Sequence, residues 1–525
     1  MMLLVGLSLL NAISQTIAEN TSCTVESREI DCGPLLVCAL PIEHINSSSG
    51  GLVCRPCAND GECPGSEYVC QGRSSSFCAH KRLLPIDVND LWGFAAVFLA
   101  SILSAGAGIG GGGLIVPLLI LVLAFSQHDA APLSNVAIFG GSIANVAYNA
   151  RRQHPNRKKP LIAYEVALLM EPMTILGALV GCILNKMFPG WLITVLLVLL
   201  LGLTTQKMLK KFFELESSSI SKLPSIFGSK QQEKSFPLDT KPQELTTSLL
   251  SCVAAAPTNG SYKDEAQSVT VSNGAANANC ELSAVLRAEE HAPYVDILAL
   301  VLVLLASFVL SVLRGRSHRQ SLLGISCGSM PFWALMGIQF AVILVASVCF
   351  SRVLLKRYER KLTVGYLFLE DDVHWTPRKT IVWMLRCTVA GLVAGMFGIG
   401  GGIVKGPLML EMGMLPVVSS ATSSFMILFT SAAAASQYAL FGALRPHYGA
   451  MMFCIGFVGT ICGQWGLGYL LTRWKKQSLI VLVIALVIGI SAVMMGIIGV
   501  INFLQGLDKG EYQGFQSVCG RTDNG

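Results

Sequence analysis

Long blocks of this chain carry no charge at all. Between Leu91 and Phe125 there is not one Asp, Glu, Lys or Arg. About 20 apolar residues span the hydrocarbon of a bilayer, where backbone N–H and C=O groups must bond within the segment, so such blocks fold as membrane helices. Further apolar blocks lie at Ala130–Ala150, Leu161–Asn185 (which carries Glu165 and Glu171), Met187–Gln206, Ile297–Leu313 and Pro331–Phe350. Others follow at Ile381–Met396 and Ile403–Met412, with Arg386, Lys405 and Glu411 as their charges, and at Val418–Leu440, Tyr448–Thr472 and Leu479–Leu504. Only 13% of the 525 residues are charged, about half the share usual in soluble domains. The expected fold is an all-α, polytopic helical membrane protein.

The chain begins with a segment suited to export. Residues 1–18 hold an apolar core at Leu3–Leu10 and small residues at Thr16-Ile17-Ala18, the pattern of a signal peptide. Eight cysteines follow within residues 19–85: Cys23, Cys32, Cys38, Cys54, Cys57, Cys63, Cys70 and Cys78. An even number behind an export signal reads as a disulfide framework, which a domain too small for a large core needs. Cys54 and Cys57 also have zinc or redox spacing, but an oxidising compartment favours structural disulfides. Asn20 and Asn46 head N-x-Ser/Thr glycosylation sequons. The chain is thus expected in a membrane of the secretory pathway, the plasma membrane, with a Cys-rich lumenal or extracellular domain able to meet an external partner.

An internal duplication organises the rest. Gly108-Ile109-Gly110-Gly111-Gly112 returns as Gly398-Ile399-Gly400-Gly401-Gly402, 290 positions on, with Pro117 and Pro407 at the same distance behind each. Ser134–Ser142 and Ser423–Ser431 then match as well. The expected units are a first repeat at 91–209, a flexible cytoplasmic loop at 210–293, two linking helices at 294–350, a second repeat at 380–504 and a tail at 505–525. Basic clusters at Arg151–Lys159, Lys207–Lys211, Arg352–Lys361 and Arg473–Lys476 belong in the cytoplasm. For the first of these to be inside, Leu91–Phe125 crosses an even number of times, as a re-entrant hairpin or as two spans. The halves then have opposite orientation, the inverted-repeat plan of many transporters. Arg314, Arg316 and Arg319 fall outside in this scheme, against the charge rule.

Gly108-x-Gly110-x-x-Gly113 matches the dinucleotide fingerprint by letter only, since no βαβ unit surrounds it. Glycines that break membrane helices leave backbone N–H groups to be met by protein or by a wet cavity. The helices that resume carry partial positive charge at their N-termini and attract anions. On this reading Gly108, Gly110, Gly111, Gly112, Gly398, Gly400, Gly401 and Gly402 shape one central anion site fed by both halves. Close helix packing is the alternative. Lys405, just past the second run where the first has Ile115, either binds the anion or snorkels to the surface. Glu171, deep in a span ahead of Pro172, either carries a proton or pairs with a buried cation, Arg386 being the candidate. Ser134, Asn135, Ser142, Asn145, Ser423, Ser424 and Gln437 are candidates for a polar path. His154, His374 and His447 lie near span ends. No Ser-His-acid or metal-ligand spacing appears, so no enzyme, cofactor or metal is expected. The net charge of +6 sits beside apolar blocks rather than among aromatics, which excludes nucleic acid as a partner.

Several stretches resemble the sulfite exporter TauE/SafE family, particularly its eukaryotic branch. They are GAGIGGGGLIVPLLILV at 106–122, SNVAIFGGSIANVAYNARRQHP at 134–155, PLIAYEVALLMEPMTILGALVG at 160–181 and AGMFGIGGGIVKGPLMLEMGMLPVVSSATSSFM at 394–426. The resemblance covers roughly 91–209 and 380–504. It implies a membrane transporter exporting sulfite, organosulfonates and related anions. Glu171 departs from the uncharged polar residue usual before this proline, and the ectodomain and the 210–293 loop are additions. The leading function is a secondary anion transporter working by alternating access. A receptor or assembly platform built on the ectodomain, and an anion channel, are the competing readings.

Overall fold

The structure, a computed structural model, describes residues 37–39, 53–55, 68–71, 77–80, 83, 88–107, 110–123, 125–155, 157–220, 281–315, 325, 328–368, 372–474 and parts of 489–500. The signal segment, Asn20, Asn46, Cys23, Cys32, Cys57, Cys63 and Gly108 lie outside them. Within the N-terminal region two short antiparallel hairpins are described. β1 (Val37–Ala39) pairs with β2 (Val53–Arg55), setting Cys38 opposite Cys54. β3 (Tyr68–Gln71) pairs with β4 (Phe77–His80), setting Cys70 opposite Cys78.

Among the described residues, every regular element from Val88 onward is an α-helix. The order is α1 (Val88–Ala107), α2 (Gly112–Leu121), α3 (Gln127–Asn149), α4 (Tyr164–Met187), α5 (Gly190–Ile220), α6 (Tyr294–Arg314), α7 (Met330–Thr363), α8 (Pro377–Phe397), α9 (Gly402–Glu411), α10 (Pro416–Leu440) and α11 (Pro446–Trp474). Seven of these helices are long and apolar enough to cross a membrane. Their starts follow local chemistry. Ser126 caps α3 by accepting from the Asp129 N–H, and Thr376 caps α8. Prolines open α7, α8 and α10, where a missing N–H costs nothing.

The open question of Leu91–Phe125 resolves as a hairpin. α2 and α9 have 10 residues each, a rise of about 15 Å, half the roughly 30 Å of bilayer hydrocarbon. α2 folds back along α1, bringing Leu123 against Gly93. α9 does the same on α8, where Arg386 pairs with Glu411 at 3.0 Å. Each glycine run therefore lies at the turn of a helical hairpin with one short arm.

The two halves pack reciprocally. α4 lies on α8 as α11 lies on α1, α4 meets α10 as α11 meets α3, and α3 meets α10. Glycines set the closeness of these pairs. Gly177 and Gly181 of α4 face the carbonyls of Thr388 and Leu392, while Gly391 and Gly395 of α8 face those of Thr174 and Ala178. Gly463 of α11 faces the Ile102 carbonyl on α1 in the same manner. Lipid tails are as apolar as leucine, so helices associate through such close packing rather than through water's exclusion.

α6 and α7 form an outer pair against α4. Arg357 clamps Asp296 with two bonds of 2.7 and 2.9 Å, and Gln339 donates to Ser307 and Ser311. At the α7 C-terminus Lys361 bridges Glu165 at 2.9 Å and Glu289 at 2.7 Å, while Arg360 holds Glu281. Arg157 donates to the Tyr366 hydroxyl and Lys159 pairs with Asp372. Glu289 and burial together push the Tyr366 phenol above its ordinary range, burial contributing most. Residues 281–289 are helical, and α5 runs on to Ile220. The ends of the stretch expected as a loop are thus ordered, because carboxylates at 281 and 289 find cations on α7.

Candidate functional site

The two glycine turns meet. A Cβ on Gly112 would lie 2.4 Å from the Ile399 Cα, and one on Gly113 would lie 2.5 Å from the Ile403 side chain. Gly110, Gly111, Gly398, Gly400 and Gly401 all have φ between 69° and 82°, left-handed backbone that glycine adopts without penalty. Gly111 and Gly401 head α2 and α9 without a side-chain cap. The orphan carbonyls where α1 and α8 stop are met from across the molecule. Gln464 donates to the Ala105 carbonyl, Asn185 to that of Met396 and Tyr438 to that of Gly395.

The turns do not share one wet crevice, as the sequence had suggested. Ile427 stands against Gly110 and Ile138 against Gly400. These two isoleucines occupy equivalent places in the repeats and, with Ile115 and Ile399, fill the crossing with hydrocarbon. What each half does on its own side of that plug differs.

On the first side lies a narrow cleft of about 10 Å³ lined by Ser101, Ser104, Gly110, Ser142, Asn145, Ser424 and Thr460, with Ile115, Ile138 and Ile427 as its apolar wall. No charged side chain lines it. Asn145 accepts from Gln464 through its carbonyl oxygen, which leaves its amide nitrogen as donor. The hydroxyls of Ser101, Ser104, Ser142 and Ser424 point back to carbonyls of their own helices, and rotation turns such protons toward an incoming acceptor. Ser101, Ser104 and Thr460 escaped sequence reasoning. Serines one turn apart just ahead of the glycine run were the signal for the first two.

On the second side the corresponding volume is filled. A Cβ on Gly111 would lie 3.3 Å from the Ile115 Cδ1, and one on Gly401 would lie 3.3 Å from the Lys405 Cε. Lys405 thus holds in α9 the place of Ile115 in α2. Its Nζ lies 3.0 Å from Glu171 Oε2, and both side chains have no exposure at all. Thr430 donates to Glu171 Oε1 at 2.6 Å and accepts from Lys405, while Thr174 donates to Glu171 Oε2 at 2.8 Å. Lys405 does not snorkel. Arg386, the partner the sequence had suggested for Glu171, instead holds Glu411 and stacks on Trp383 near the surface. Removing one member of such a buried pair strands the other charge at about 3–5 kcal/mol.

The other expected residues scatter round this crossing. Ser134 donates to the Gly398 carbonyl at 2.7 Å, Asn135 donates to Ala131, and Gly402 opens α9 in the interior. Ser423 is buried with its hydroxyl unpartnered among the described residues. Gln437 accepts from Ser311, in the contact of α10 with α6 and away from the pocket.

A family model described as sulfite exporter TauE/SafE matches residues 93–261 and 265–495. Among curated proteins, sulfite exporter TauE/SafE family protein 2 of Arabidopsis thaliana is 30% identical, over 80% of this chain and 86% of its own length. Family protein 3 of the same plant is 28% identical, over 80% of this chain and 81% of its own length. No solved structure matches.

Proposed function

The chain belongs to the sulfite exporter TauE/SafE family, and on that premise we propose that it is a secondary transporter exporting small sulfur oxyanions, of the sulfite and organosulfonate class, by alternating access. The observation that carries this reading is the hydroxyl-lined pocket beside Gly110 at the tip of a helical hairpin. In the closed arrangement this cleft of about 10 Å³ holds about one water, so a small oxyanion fits once the hairpin and its neighbours move apart. Serine and threonine hydroxyls, the Asn145 amide and the uncapped start of α2 are donors suited to sulfonyl oxygens. Uncharged donors hold an anion weakly enough for it to leave.

The reciprocal packing supports inverted repeats that rock about the α3–α10 contact. The pocket opened on one side of the isoleucine plug then alternates with the Lys405 side opened on the other. The basic residues Arg157, Lys159, Arg357 and Lys361 gather at one end of the bundle, which supports placing that end in the cytoplasm and the Cys-rich domain outside, at the plasma membrane.

Purified protein in liposomes should take up labelled sulfite or methanesulfonate with saturation. Asn145→Leu keeps the volume and removes the amide, and a hydrogen bond to a charged group contributes about 1.5–3 kcal/mol. Its KM should rise about tenfold or more. Flux no greater than in empty liposomes would overturn the reading.

A further inference from the structure

The transport reading leaves Lys405 and Glu171 without a stated role, and their geometry carries one further step. The pair is sealed, neutral as a unit, and stands where the other half keeps an open pocket. Every polar atom that holds the carboxylate, the Lys405 ammonium and the hydroxyls of Thr430 and Thr174, is also the donor an oxyanion needs. We propose that the Glu171 carboxylate is a resident stand-in for the transported anion, so that the anion takes its place at Lys405 only when Glu171 is protonated, and each singly charged oxyanion moves with one proton. This rests on the transport reading above and adds its charge rule.

The rule follows from electroneutrality. An ammonium in an apolar interior requires one negative charge beside it. In the resting arrangement Glu171 supplies it. When the second hairpin opens to water, a proton from that water binds a Glu171 oxygen and the carboxyl becomes neutral. The anion then accepts from Lys405 Nζ and Thr430 Oγ1. The acid's O–H keeps a partner, since either threonine hydroxyl can accept. On the far side the anion departs, the proton leaves Glu171 for water, and the ion pair closes again. Buried charge is zero throughout. A dianion in the same place would leave one negative charge unmatched, so sulfonates and hydrogen sulfite fit whereas sulfate does not.

Among the described residues the other elements supply no competing carboxylate or imidazole at this point. From α8 the titratable group packed here is the Cys387 thiol. Glu411 of α9 and Arg386 of α8 are engaged with each other near the surface. α10 contributes Thr430.

The test uses the full chain in proteoliposomes, with methanesulfonate and sulfate as probes and the membrane potential clamped. Wild type should take up methanesulfonate faster when the side holding it is acidified, with no response to potential, and should pass sulfate at least tenfold more slowly. Glu171→Gln leaves an unmatched ammonium, so it should bind methanesulfonate at least tenfold more tightly and lose the pH dependence of flux. Should that variant not fold, the double variant Glu171→Leu/Lys405→Met removes both charges, elutes as a single species and carries no proton-driven flux. Proton-driven flux in either variant, or sulfate flux equal to that of methanesulfonate, overturns the charge rule and leaves the transporter standing. Wild type that moves neither anion overturns both.

Discussion

Gly112 and Gly406 lie in the same family-defining stretches and ask opposite things of a side chain. A Cβ at Gly112 would stand 2.4 Å from the Ile399 Cα, whereas at Gly406 nothing lies within 4 Å. Backbone cannot yield as a side-chain tip does, so Gly112→Ala should destabilise at or beyond the upper end of the about 1–3 kcal/mol typical of overpacking. Gly406→Ala, in the interior of α9, should be neutral or stabilise by up to about 0.5–1 kcal/mol. Thermal unfolding in detergent compares them, and equal midpoints would contradict the crossing of the two turns. Residue-level chemistry was legible in the sequence where it was local. The glycine runs, Lys405 and Glu171 declare themselves by sitting in apolar stretches where glycine repeats and charges are unusual. Their partners do not declare themselves. Lys405 and Glu171 are 234 positions apart, and only the packing of both α4 and α9 against α10 brings them together. Arg386 looked the better partner because it lies within an apolar helix, yet its length lets it reach Glu411 at the hairpin's open end.

Helix pairs are set by their small residues. Gly391 meets the Thr174 carbonyl, where a Cβ would come within 2.1 Å, and Thr174 in turn holds Glu171. Gly391→Ala should therefore part α8 from α4 and lower flux at least tenfold, while Gly202→Ala on α5, with open space around it, should leave flux within about twofold. Initial rates in proteoliposomes decide between them, and comparable rates would refute glycine-mediated contact of α4 with α8. The apolar blocks marked nearly every helix, because lipid imposes length and composition on each one separately. They could not tell a hairpin from two spans, since that depends on how far α2 and α9 run before they turn. Nor did they show that 281–289 folds as helix, which depends on Arg360 and Lys361 of α7.

At the scale of the whole molecule the two halves are alike in framework and unlike in chemistry. One keeps an uncharged pocket beside Ile115, and the other closes over Lys405 with its own carboxylate. The isoleucine plug between them was not legible in advance, because Ile138 and Ile427 are ordinary apolar residues of apolar helices and acquire their role only where the turns cross. The residues proposed to handle the anion all lie on α1–α11, so removing residues 19–85 should preserve saturable flux, measured against the full chain at equal protein density. Loss of flux with retained folding would shift weight to the ectodomain. The central claim is that the two sides of the isoleucine plug open in turn and never together, and counterflow tests it most directly. Vesicles preloaded with unlabelled methanesulfonate and diluted into a trace of label should accumulate that label transiently above its equilibrium level. Label that rises smoothly to equilibrium, indifferent to the preload, would contradict alternating access and indicate an open pore.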